Sequence, residues 1–189
     1  MTPGFIPPHG GYRKLLSYQR AEVVYDATVR FCRRHLDRRD RTVDQMVQAA
    51  RSGKQNIIEA SAASGTSKEM EIKLTNVARA SLSELLEDYR DFLRVRDLEE
   101  WGVEHPFARR LAQLVRTPGA SYETFRRAVE HPNPAICANS ILGLVKVAHC
   151  LLGRQVRRLE RDFIEEGGLR ERMTRTRVAR RREQGTEGT

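Results

Sequence analysis

The chain is predicted to be all-α, an antiparallel four-helix bundle with a C-terminal helical extension. Three features of its 189 residues predict this. Apolar residues recur three and four apart in long stretches, alternation at the strand period never persists beyond a few residues, and Pro, Gly and small polar residues gather mainly between the stretches. At this length a single well-buried core is expected.

Residues 1–14 are rich in Pro and Gly, with Pro3, Pro7 and Pro8, and are expected to form a flexible start. From Leu16 to Leu36, Ala21, Val24, Tyr25, Thr28, Phe31, Cys32 and Leu36 keep the spacing of an amphipathic helix, which the charged run Arg33 to Arg41 ends. A second helix starts near Asp40 or Thr42, either of which can accept a hydrogen bond from the free amides of the first turn. It carries Val43, Met46, Val47, Ala50, Ile57 and Ile58 inward. Gly53 costs such a helix about 1 kcal/mol relative to Ala, and so predicts that another backbone comes close there.

Ser61 to Ser67 is small and polar and reads as a turn followed by an N-cap. A third helix then presents Met70, Leu74, Val77, Ala78, Leu82, Leu85, Leu86, Tyr89, Phe92 and Leu93 on one broad face, until Asp97 and Gly102 disrupt it. Gly102, Pro106, Pro118, Gly119, Pro132 and Pro134 limit the next segment to short helices near Phe107–Val115 and Tyr122–Val129, which complete or cap the bundle. The last long helix starts at Pro134, because a proline in the first turn lacks only an amide with no intrahelical partner.

Along that helix Leu142, Val145, His149, Leu152, Val156, Leu159 and Phe163 alternate three and four apart. Such a seam requires a partner helix, in the same chain or in another copy, and makes a homo-oligomer a serious expectation. Gly167-Gly168 ends the helix and an Arg-rich helical suffix follows to Arg182. The organisation expected is a bundle core over 15–133, the long helix and suffix over 134–182, and a disordered tail over 183–189.

Lys and Arg number 34 against 25 Asp and Glu, a net charge of +9; five of the basic residues are Lys and 29 are Arg. This charge concentrates polyanions, so RNA, DNA or an anionic membrane surface are its natural partners. The Arg excess suits bidentate phosphate contacts, and biased codon usage produces the same excess. No uninterrupted apolar run of about 18 residues occurs, so neither a signal peptide nor a membrane span is expected. Cys32, Cys137 and Cys150 form no C-x-x-C pair and read as reduced core thiols of a cytoplasmic protein.

Catalytic and cofactor chemistry finds no support. No Glu has a His three residues after it, as a di-metal carboxylate bundle requires, and no phosphate-binding loop, dinucleotide turn or nucleophile elbow occurs. No metal, cofactor or enzymatic activity is therefore expected. Glu84, Glu87, Asp88 and Asp91 interleave with Arg90 and Arg94 at helical spacing, the pattern of a salt-bridged surface. His149 and Cys150 are neighbours that point about 100° apart, so His149 reads as a polar seam residue that fixes register. Asn56 and Glu59 are placed at a bundle crossing, with Arg51 or Arg79 as partners.

The binding candidates are the arginines. Arg33, Arg34, Arg38, Arg39 and Arg41 crowd one connection; Arg154, Arg157, Arg158 and Arg161 rim the last helix; Arg170, Arg172, Arg175, Arg177, Arg180, Arg181 and Arg182 fill the suffix. Few exposed aromatics are expected beside them, so recognition would proceed through backbone and shape rather than base stacking. The opposing reading is a solubilising surface partly neutralised by Asp37, Asp40, Glu160 and Glu171.

Between Gln45 and Leu93 the segments Ala49-Ala50-Arg51-Ser52, Asn56-Ile57-Ile58-Glu59-Ala60, Ser67-Lys68-Glu69 and Ala78-Arg79-Ala80-Ser81-Leu82-Ser83-Glu84-Leu85 resemble a four-helix-bundle family. That family is described as 23S rRNA intervening sequence proteins, and related members include accessory proteins of diversity-generating retroelements. The family pattern has Ile-Pro before the Asn and Gly after the Glu, where this chain has Gly53-Lys54 and Ala60. Ile136 to Arg172 is similar to a suffix segment found on some of these bundles. The resemblance implies a basic ring, commonly of five copies, and, for the retroelement members, a reverse transcriptase and its RNA as partners.

Overall fold

The computed structural model describes residues 9–115, 117 and 119–186, with side chains through residue 181. The expectations for Pro3, Pro7, Pro8 and Pro118, for the Arg182 side chain and for residues 187–189 lie outside these residues, whereas 183–186, expected to be a disordered tail, are helical. Among the described residues there is no strand. A 3-10 turn at Tyr12–Lys14 precedes seven helices: α1 (Leu16–His35), α2 (Arg41–Ala63), α3 (Lys68–Arg94), α4 (Pro106–Val115), α5 (Tyr122–Val129), α6 (Pro134–Glu166) and α7 (Leu169–Thr186).

Helices α1, α2, α3 and α6 form an antiparallel four-helix bundle in which each packs on two neighbours. Polar cross-ties show its register. Ser17 Oγ at the start of α1 donates to Gln155 Oε1 late in α6 (2.8 Å), the Ser52 and Ser81 hydroxyls meet at 2.9 Å between α2 and α3, and Tyr89 OH donates to Thr28 Oγ1 (3.1 Å) across the core. Around that last bond Phe31 lies 5.1 Å from the Tyr89 ring and 4.8 Å from Phe92. Caps set the helix starts: Asp40 accepts from the Thr42 amide, Ser67 from that of Met70, and Asn133 from those of Ala135 and Ile136. A Cβ on Gly53 would stand 2.6 Å from Leu82 Cδ2, so the missing side chain lets α2 and α3 approach.

The start of α3 departs from the sequence reading. Met70 and Val77 are each 46% exposed and Leu74 is half-buried, whereas Glu71, Thr75 and Ala78 turn inward. Leu82, Tyr89 and Leu93 in mid-bundle set the phase of the helix, and counting back at about 100° per residue carries Met70 and Val77 off the core face. Glu71 is accommodated by an ion pair to Lys68 (2.9 Å).

Leu142, Val145, Leu152, Val156 and Leu159 are buried, and α6 packs chiefly on α3 and α1. His149 and Phe163 are half-buried at the margin. The seam thus finds its partners inside the chain. The boundary drawn at 133 runs through the bundle, because α6 is its fourth helix and α7 alone is the extension. Part of α6 is apolar and long enough by composition to cross a membrane, and more than half of that stretch is buried in the protein.

Helices α4 and α5 bridge α3 to α6 and lean on α6, with α5 also touching α1. Arg20 of α1 holds them. It is 2% exposed, and its guanidinium donates to the Val115 carbonyl at the end of α4 (3.1 Å) and to the Ala120 carbonyl (2.7 Å). Residues 9–14, expected to be flexible, are tied down: the Gly10 amide donates to Ser61 O (3.1 Å) and the Tyr12 and Tyr18 rings meet edge to face at 4.8 Å.

Candidate nucleic-acid interface

The C-terminal turns of α1 and the outer face of α5 meet beside the entrance to α6. Arg30, Arg33 and Arg34 recur at three- and four-residue spacing along an edge of α1 beside the face that buries Ala27 and Phe31, while α5 contributes Arg126 and its C-cap residue Glu130. These five residues line one open cavity of about 340 Å³, and two of its four guanidinium groups, those of Arg30 and Arg126, face its carboxylate. Glu130 organises it. Its carboxylate pairs with Arg30, accepts from Tyr122 OH (2.9 Å) and stands 3.6 Å from Arg126 Nε, while its backbone carbonyl accepts from Arg34 (2.8 Å).

Desolvation alone pushes the Glu130 carboxyl up, and the bonds from Tyr122 and Arg30 outweigh it, so its pKa falls below the usual value and it stays ionised. Arg30 also lies over the Tyr122 ring at 4.3 Å. Glu123 pairs with Arg126 as well (3.1 Å), so two positive charges remain when both carboxylates are set against the four arginines, held by residues whose helices are anchored in the core. Arg33 and Arg34 belong to the cluster expected from sequence; Arg30 and Arg126 do not, because their proximity is created by the packing of α5 on α1.

Arg38, Arg39 and Arg41 are exposed at the same end of the molecule, in the α1–α2 connection and at the start of α2. Asp37 and Asp40 add their negative charge here, but among the described residues neither forms an ion pair with these arginines. Asp37 accepts from the Arg39 amide (2.8 Å) and Asp40 caps α2 through the Thr42 amide (2.9 Å), so both carboxylates serve the backbone.

The remaining arginines lie elsewhere. Arg154, Arg157, Arg158 and Arg161 are exposed along the second half of α6 and Arg170, Arg175, Arg177, Arg180 and Arg181 along α7. At about 1.5 Å per helical residue, Arg154 to Arg161 stand roughly 30–40 Å along α6 from its entrance. One chain therefore presents two basic regions at opposite ends. In the second, Arg158 faces Asp162 (3.7 Å) and Glu171 accepts from the Gly168 amide (2.9 Å). Arg172 differs from its neighbours: it is half-buried, with Nε and Nη2 shielded from solvent and without a partner among the described residues.

Several smaller expectations are corrected. Cys150 is exposed, unlike Cys32 and Cys137, because it follows the half-buried His149 away from the seam. Burial pushes the Cys32 and Cys137 thiols up to about 12. Asn56 donates to Ser52 rather than pairing with Arg51 or Arg79, and Glu59 is exposed rather than at a bundle crossing. His149 is held towards its neutral form by burial and then by Arg79. The acidic stripe of α3 pairs as expected, Arg90 with Glu87 (2.6 Å) and Arg94 with Asp91 (2.7 Å), leaving Asp88 half-buried.

No protein-family model, curated protein or solved structure matches the chain.

Proposed function

We propose that this protein binds nucleic acid without transforming it, using the arginine patch at the α1–α5 end as its primary phosphate contact. The observation that carries the reading is the gathering of Arg30, Arg33, Arg34 and Arg126 at one open cavity, where only Glu130 and Glu123 offset their charge. Neutralising phosphates with several arginines releases counterions, which makes binding strong and salt-sensitive. Bidentate guanidinium groups fit phosphate oxygens better than lysine does. Resemblance to the rRNA intervening sequence proteins favours RNA over DNA, and repetition of the patch in a homo-oligomer, a pentamer in that family, would multiply its contacts.

The test is binding to labelled RNA and DNA of equal length across a salt series, with solution mass measured in parallel. Replacing Arg30, Arg33 and Arg34 with Ala is expected to reduce the slope of log affinity against log salt by about 2 to 3. Unchanged affinity and slope in a folded variant would overturn the reading.

A second reading, an accessory or scaffold subunit for a protein such as a reverse transcriptase, is favoured by the exposed apolar edge of Met70 and Val77 on α3, which burial against a partner would remove from water. Val77→Asp abolishing assembly or partner capture while leaving RNA affinity intact would favour it.

A further inference from the structure

On the other side of α5 from the arginine patch, a cavity of about 480 Å³ opens between α4, α5 and the start of α6. Trp101, Phe107, Leu111 and Ile136 give it an aromatic and aliphatic wall, and Arg110 and Arg127 stand at it with exposed side chains. Every residue lining it is apolar, hydroxylic or basic; no carboxylate is among them. Its volume lies within the roughly 300–1,000 Å³ of small-ligand sites.

The wall is built into the fold. The Trp101 amide donates to Asn139 Oδ1 (2.8 Å) on α6, and Asn139 Nδ2 donates to the Glu99 carbonyl (2.9 Å), which fixes the indole's backbone. His105, which does not line the cavity, stacks on the indole at 4.5 Å with the planes 6° apart. Phe107 lies 5.4 Å from the indole and is 54% exposed. Gly143 of α6 admits the Leu111 side chain, which a Cβ would meet at 2.5 Å, so α4 seats closely enough to close the floor.

We infer that this cavity takes an unpaired nucleobase of a single-stranded nucleic acid, stacked on the Phe107–Trp101 wall, with the adjoining phosphates on Arg110 and Arg127. Flat π faces flanked by cations and free of carboxylates match a base attached to an anionic backbone. Successive residues of α5 connect the two regions, because Arg126 belongs to the arginine patch and Arg127 to the cavity. A strand crossing α5 would meet both. Recognition through the base face is tolerant of sequence.

The inference rests on the phosphate-binding reading, and one experiment separates them. The chain contains a single Trp, so its fluorescence reports on this cavity. The probes are oligouridylate of about ten nucleotides, within the site size of single-strand binders, and inorganic polyphosphate of matched charge. Oligouridylate is expected to quench Trp101 and polyphosphate to bind without quenching. Phe107→Ala, a half-exposed position whose variant is checked by melting, is expected to weaken oligouridylate about tenfold and to leave polyphosphate unchanged; Arg127→Ala is expected to weaken both. Equal binding of the two probes with no quenching, or full oligouridylate affinity in Phe107→Ala, overturns the base site and leaves the arginine patch standing. Failure of both probes to bind at low salt overturns both.

Discussion

Arg30, Arg33, Arg34 and Arg126 ride on helices that bury a face in the core, whereas Arg170 to Arg181 ride on a helix that buries almost nothing. The first group is oriented by Glu130, Tyr122 and the packing of α5 on α1. The second has two large apolar residues between Arg170 and Arg181, Met173 and Val178, and both are exposed. Charge density alone therefore does not make a site. Side chains already held in place lose less entropy when a phosphate arrives, while those of α7 other than Arg172 and Arg175, which donates to the Glu166 carbonyl, have more to lose.

The sharpest way to break this comparison is to remove its foundation. Leu152→Asp places a charge at a fully buried position of α6, and a loss on the order of 5 kcal/mol, read by thermal or denaturant unfolding, is expected. A folded variant that had only lost self-association would show that the seam serves another copy. Arg20→Ala comes next: it strands the Val115 and Ala120 carbonyls and should cost about 2–3 kcal/mol. Because α5 is then less firmly held, salt-dependent RNA binding should weaken along with stability.

Asp88 gives a smaller effect with a definite sign. Burial, then the neighbouring carboxylates of Asp91 and Glu84, pushes its pKa up to about 6, above the ordinary carboxylate value. Ionising it costs more in the folded than in the unfolded state, so stability is lost as pH rises through that range to about 6. Asp88→Asn should raise the melting temperature at pH above 6 and lose that advantage at pH below about 4, the unfolded carboxylate range; a gain independent of pH would refute the cause. The smallest effect is expected from ending the chain after Gly168, with unfolding free energy changed by less than about 0.5 kcal/mol. In the full chain, α7 amides should exchange with solvent far faster than those of α1. Slow exchange in α7 would show that it is buttressed after all.

Most elements were legible because their signals are local. The N-caps at Asp40 and Ser67, the prolines that confine α4 and α5, and the Gly pair that ends α6 act within one turn of chain. Gly53 was legible as a close approach. Met70 and Val77 were misread because correct spacing does not fix the phase of a helix; the bulk of Leu82, Tyr89 and Leu93 does. Arg20 and Asn139 carried no signal, since a buried polar side chain is defined by the distant carbonyls and amides it meets. Half of the arginine patch was legible as a run, and Arg126 was missed because it lies 92 positions from Arg34.

The amino-acid sequence by itself determined an all-helical chain, the positions of its long helices, its basic charge and the regularity of the α6 seam, because periodicity and capping are properties of neighbours along the chain. Only the tertiary structure decided that the seam closes on α1 and α3, that the arginines divide between two ends, and that Trp101 and Phe107 share a wall with Arg110 and Arg127. Those facts depend on which faces exclude water together, and burial brings together residues that the chain holds far apart.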